Sequence, residues 1–113
     1  MLSIEDVKEK VNNISRSFKI KKLGVFGSLV RGELTSKSDI DFIVEFNDDG
    51  YNGRCDRYMD LIEELEKIFG RKIDLITYES LNNPVFKATV EKEMKIIYEW
   101  ERIKIVDWYK IIM

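Results

Sequence analysis

Asp39 and Asp41 are separated by a single residue, and Asp74 interrupts a second apolar run, Ile73-Asp74-Leu75-Ile76. Residues i and i+2 of a strand point the same way, with Cα atoms about 6.5–7 Å apart. The first pair therefore puts two carboxylates on one face. Like charges at that spacing repel, and burying either one unpaired costs on the order of several kcal/mol. A divalent cation between them reverses the sign of the problem. An isolated Asp-x-Asp also fits a solvated strand end, and Asp74 alone fits an edge-strand surface position. If the second strand lies beside the first, all three carboxylates converge and a metal site is the better reading. Gly27-Ser28 adds a complementary feature. Glycine allows close backbone approach, N–H groups at a helix start attract phosphate, and Ser28 supplies a hydroxyl, though it also suits an N-cap. Arg31 and Lys37 either neutralise phosphate or remain solvated. Arg31, one turn into the short helix expected at 28–33, can point toward the same cleft and suits bidentate phosphate contact.

Composition restricts what else the chain can do. The 113 residues contain no histidine, which removes Ser-His-Asp and Cys-His catalysis and the usual His-based zinc sites. Any metal must be held by oxygen ligands, which favours a hard cation such as Mg²⁺. The hydrophobic fraction of 44% and charged fraction of 35% describe one soluble globular domain, and a formal charge of -2 gives no broad positive field for nucleic acid. No apolar run approaches the roughly 20 residues of a membrane span. The start, Met1-Leu2-Ser3-Ile4-Glu5-Asp6, does not read as a signal peptide, and Cys55 is the single cysteine, so a reducing cytoplasm is the expected setting.

The elements that must position these residues follow from periodicity. Ser3 is a plausible N-cap for an amphipathic helix over 3–18, with Ile4, Val7, Val11, Ile14 and Phe18 at spacings of three and four. Leu23–Phe26 is a short apolar strand ended by Gly27. A polar turn, Thr35–Ser38, leads into a second strand, Asp39–Glu45, with Asp39, Asp41 and Ile43 on one face and Ile40, Phe42 and Val44 on the other. Residues 47–53 read as loop. Tyr58, Leu61, Ile62, Leu65, Ile68 and Phe69 form a helical stripe stopped by Gly70, and a third strand spans Lys72–Thr77. Pro84 opens a further helix with Phe86, Val90 and Met94 on one side, and 95–98 suits either a strand or a helix end. The order α-β-α-β-α-β-α with a C-terminal addition gives an α/β (α+β) domain, a small mixed sheet covered by helices.

Gly27-Ser28, ten residues and then Asp39-Ile40-Asp41 resembles the signature of the DNA polymerase beta-like nucleotidyltransferase superfamily. More narrowly, Phe26–Glu33 with Ser38–Val44 and Gly70–Ile76 is similar to the minimal nucleotidyltransferase family, over about residues 14 to 99. The resemblance implies the polymerase beta-like fold and a domain over 1–99, with 100–113 as an extension. Asp39 and Asp41 would be the metal-binding carboxylates. Asp74 would be the third, ligating one metal and helping to activate the attacking hydroxyl. Gly27 and Ser28 would hold the triphosphate, with Arg31 beside them. Two Mg²⁺ ions and ATP are implied, with AMP transferred and pyrophosphate released.

Chains of this minimal type resemble the antitoxins of two-gene modules whose partner is an all-helical HEPN-type ribonuclease toxin. The implied acceptor is a tyrosine hydroxyl of that toxin, within a hetero-oligomer and without direct DNA or membrane binding. A non-catalytic antitoxin that acts by binding, and transfer to a small molecule, are the alternatives. Trp100, Ile103, Val106, Trp108, Tyr109, Ile112 and Met113 are unusually apolar for a terminus and suit either the domain's own core or an association surface.

Overall fold

A computed structural model describes residues 2–47 and 54–100. The loop expected at 47–53 falls outside the described residues apart from Asn47, and so does the C-terminal stretch beyond Trp100. The elements in order are α1 (Ile4–Ser17), β1 (Ile20–Phe26), α2 (Ser28–Arg31), β2 (Ile40–Phe46), α3 (Arg54–Phe69), β3 (Ile73–Thr77), a 3₁₀ turn (Tyr78–Ser80), α4 (Pro84–Glu93) and β4 (Lys95–Glu99).

Helix α1 starts where its chemistry says it should. Ser3 accepts from the Asp6 N–H at 3.1 Å, and Asp6 accepts from the Ser3 N–H at 3.1 Å. This reciprocal pair satisfies two donors that a helix start otherwise leaves open. Val7 and Val11 of α1 are fully buried, as are Leu61 and Leu65 of α3. Both helices cover one face of a sheet ordered β3-β2-β1-β4, where they meet Leu23, Val25, Ile40, Phe42 and Val44. Tyr58 of α3 donates to the Leu75 carbonyl at 2.5 Å and ties the helix to the edge strand.

β2 pairs antiparallel with β1 and parallel with β3. Parallel neighbours need a crossover connection, and α3 supplies it. The other face of the sheet is covered in part by α4. Val90 and Leu81 pack there on Ile43, with Phe26, Ile76, Tyr78 and Met94 at the border. Ile43 shares a face with Asp41, so α4 lies on the carboxylate side of β2.

Three expectations need correction, and one open choice is settled. β1 begins at Ile20, three residues before the expected start, because the register shifts between Ile20 and Lys22; the bulge lets Ile20 and Leu23 both face the core despite their odd spacing. Residues 95–99 are strand, which settles the choice left open there in favour of β4, and Tyr98 pairs with Leu23. Phe86 is 48% exposed while Val90 is 2% exposed, so the apolar side assigned to this helix narrows to Val90 and Met94. Asp39 lies just before β2, which starts at Ile40. No helix among the described residues is long and apolar enough to cross a membrane.

The fully buried Leu61 gives a direct check on α3. Leu61→Ala should lower the urea unfolding free energy by about 2–5 kcal/mol; a loss under about 0.5 kcal/mol would mean that α3 is not part of the core.

Candidate active site

The antiparallel turn from β1 to β2 brings the end of one strand beside the start of the other. Phe26 pairs with Asp41, so Gly27 stands directly next to that carboxylate. In the parallel pair, Asp41 is the register partner of Asp74. One end of the sheet thus collects Gly27, Asp41 and Asp74, with Asp39 at the mouth of β2. The structure therefore places Asp74 beside Asp41, which meets the condition that the sequence left open.

The ten-residue spacing between Ser28 and Asp39 has a physical content. It holds one turn of α2, a left-handed cap at Gly32 (φ 72°), and the Thr35–Ser38 turn. The Thr35 N–H donates to Ser38 Oγ at 3.0 Å, and the Ser38 N–H to the Thr35 carbonyl at 3.1 Å. Arg71, at the entry to β3, donates to the carbonyls of Thr35 and Ser38 at 2.9 and 3.1 Å. That clamp fixes the approach of Asp39 against the strand that carries Asp74. Lys37 sits on the outside of the turn, exposed.

Gly27 is required twice. Its backbone (φ 72°, ψ −144°) lies in the region that favours glycine. A Cβ there would also overlap Asp41 Oδ2 and lie 3.2 Å from Asp41 Cγ. The turn and the carboxylate can approach only because that atom is missing.

Asp41 and Asp74 are in hydrogen-bonding contact, and Asp41 is partly buried. Burial, then the Asp74 charge and hydrogen bond, then the Asp39 charge push the Asp41 carboxyl up from 3.8 to about 6, while the Arg31 charge pulls the other way. Asp39 thus acts on Asp41 through charge alone. Among the described residues, no three acidic, histidine or cysteine side chains close around one point as they stand. Convergence is therefore tighter between Asp41 and Asp74 than for the full trio. Like charges do not close on one another without something positive between them. The donor set is nonetheless the oxygen-only set that suits a hard cation.

Two further residues belong to the site. The Gly27 N–H is not free: it donates to Glu93 Oε1 at 2.9 Å. Arg31 Nη1 donates to the same oxygen at 2.6 Å, and Arg31 Nε to Glu33 at 3.3 Å. Arg31 is thus near the carboxylates, as expected, but already engaged. Sequence reasoning missed Glu93 and Arg71, and no local signal marks them, since Glu91-Lys92-Glu93 reads as a solvated charge run. A groove of about 440 Å³ beside Phe46, Met59 and Leu75 carries none of the site residues.

The sign of the pH dependence follows from Asp41. In the unfolded chain it ionises near 3.8, and in the folded chain at about 6. Between those values the folded state holds more protons, so this group's contribution to stability is largest at low pH and falls as pH rises through 6. With metal chelated, Asp41→Asn should raise the melting temperature relative to wild type at pH 7.5 and leave it nearly unchanged at pH 4. An equal effect at both pH values would contradict the raised pKa. Gly27→Ala should cost more than about 1 kcal/mol in urea unfolding, because both its backbone and its added Cβ are strained.

Residues 4–108 match the nucleotidyltransferase domain family. A Methanocaldococcus jannaschii protein named as a candidate protein adenylyltransferase is 40% identical over 98 residues, 83% of this chain and 97% of the relative. The structure of a protein named as a candidate minimal nucleotidyltransferase superimposes with TM-score 0.68 at 25% identity, over 83% of this chain and 95% of that one. A chain of the complex between a tri-AMPylated Shewanella oneidensis HEPN toxin and MNT antitoxin has the same fold, with TM-score 0.61 at 19% identity over 96% of this chain and 88% of its own. With a mixed sheet that sets Asp41 against Asp74 beside the Gly27-Ser28 turn, this chain belongs to the nucleotidyltransferase domain family.

Proposed function

We propose that this nucleotidyltransferase moves AMP from ATP to a tyrosine hydroxyl of a HEPN-type toxin and serves as that toxin's antitoxin. The observation that carries the chemistry is the contact of Asp41 with Asp74 beside the Gly27-Ser28 turn. Relatives named as protein adenylyltransferases and a structural neighbour that contains a tri-AMPylated HEPN toxin support the choice of acceptor.

Asp39, Asp41 and Asp74 are the residues that would hold magnesium. Bound there, it supplies charge neutralisation for the attacking and leaving oxygens of an in-line displacement at phosphorus. The chain's own groups do the rest. Gly27 keeps the backbone low enough for phosphate to approach Asp41, and Ser28 offers a hydroxyl and an N–H at the start of α2. Arg31, about half exposed, offers positive charge on the same side. Asp74, exposed on the edge strand, is the carboxylate an incoming hydroxyl can reach, so it is the one suited to orient that hydroxyl and take its proton. The reaction forms a phosphodiester to the acceptor oxygen and breaks the α–β phosphoanhydride, with pyrophosphate leaving. Positioning and charge account for most of the rate in such transfers.

Incubation with ATP, Mg²⁺ and a purified HEPN toxin encoded beside this protein should add one or more AMP units to the toxin, read by intact mass. The double variant Asp39→Asn/Asp41→Asn should fold normally and leave the toxin mass unchanged. If that variant still protects cells from the toxin, neutralisation is by binding and the catalytic reading is wrong.

A further inference from the structure

One oxygen, Glu93 Oε1, accepts from both the Gly27 N–H at 2.9 Å and the Arg31 guanidinium at 2.6 Å. These donors are the first and last residues of the turn that carries Ser28, and the Arg31 N–H closes that turn onto the Gly27 carbonyl at 3.1 Å. Glu93 therefore grips both ends of α2 at once. It is itself well anchored. It is the last residue of α4, its side chain is 26% exposed, and the Met94 N–H fixes the helix end on the Val90 carbonyl at 2.8 Å, beneath which Val90 packs on Ile43 and Leu81.

Without that oxygen, the turn loses the acceptor that its two ends share. Gly27 is the residue type with the most conformational freedom to lose, and Arg31 would be left with Glu33, which is 63% exposed. An exposed pair of that kind holds geometry weakly. Glu93 takes one Arg31 nitrogen and Glu33 another, and the Arg31 side chain stays 49% exposed, so a charged edge is left for a ligand.

We propose that Glu93 is a positioning residue for the nucleotide's phosphates, acting through Gly27 and Arg31 to hold the Ser28 turn in its binding geometry beside Asp41. The inference rests on the nucleotide-binding reading given above. It makes α4 more than a cover for the sheet: through Glu93 the helix sets the shape of a turn 66 residues earlier in the chain.

The test is calorimetric titration of the full chain with the non-hydrolysable ATP analogue AMP-PNP in the presence of Mg²⁺, so that binding is read apart from transfer. Glu93→Ala should weaken binding by about ten-fold, the worth of hydrogen bonds to a charged group. Glu93→Gln, which keeps the acceptor oxygen, should stay within about three-fold of wild type. The double variant Glu93→Ala/Arg31→Ala should lose less than the product of the single losses, because Glu93 works partly through Arg31. Circular dichroism checks that each variant is folded. If Glu93→Ala does not fold, Glu93→Asp, one methylene short, must weaken binding more than Glu93→Gln does. Binding by Glu93→Ala equal to or tighter than wild type overturns the proposal, the tighter case meaning that Glu93 competes with phosphate. Equal losses in the Gln and Ala variants overturn it as well. Failure of the wild type to bind AMP-PNP would instead sink the nucleotide reading on which it depends.

Discussion

The parallel register of β2 on β3 sets Asp41 against Asp74, and most of what surrounds the site can be understood as a response to that contact. Burial of Asp41, then the charge and hydrogen bond of Asp74 beside it, push the Asp41 carboxyl up to about 6. A fold that forces such a pair together bears a standing cost near neutral pH. That cost is offset in the hydrophobic layer on the far face, where Ile40, Phe42 and Val44 of β2 are fully buried beneath α1 and α3. Alternation along one strand therefore does two jobs: one set of side chains anchors β2, and the other is presented at the sheet's end. A cation bound there would relieve the repulsion between Asp41 and Asp74.

The elements around this pair act as constraints on its edges. Arg71 ties the Thr35–Ser38 turn to the entry of β3, so the approach to Asp39 and the strand of Asp74 are fixed to one another. Glu93 reaches across from α4 to the Gly27 turn. Gly27 itself is the one position where a missing Cβ admits Asp41. Arg71 and Glu93 each use two hydrogen bonds, worth about 1 kcal/mol net apiece, small against the core but sufficient to choose among loop conformations of similar energy.

Much of this was legible in the sequence because it depends on local rules. The Ser3 cap with Asp6, the stripe from Tyr58 to Phe69 and its stop at Gly70 follow from helix geometry. The two faces of β2 follow from strand geometry, and Asp39, Asp41 and Asp74 stood out because charge interrupts apolar runs. What escaped depends on partners distant in the chain. The bulge at Ile20–Lys22 exists only because β1 must pair with β2, and it hid the first part of that strand. Glu93 sits in an ordinary charge run and gains its role only when the fold brings Gly27 to it across 66 positions. Arg71 likewise follows a helix stop and shows nothing until its carbonyl partners, 33 and 36 residues earlier, are in place. The opposite error arose at Phe86, which helical spacing put on one side with Val90 and Met94 but which stays 48% exposed.

The central claim is that the carboxylate cluster at this end of the sheet is a cation site held under electrostatic strain. The most direct measurement is the melting temperature of the wild type and of Asp41→Asn, each with and without millimolar Mg²⁺, at pH 7.5 and at pH 5. Mg²⁺ should stabilise the wild type at pH 7.5, and do so much less at pH 5, where Asp41 is protonated. It should have little effect on Asp41→Asn at either pH. An Mg²⁺ response of equal size in the wild type and the variant would contradict the account.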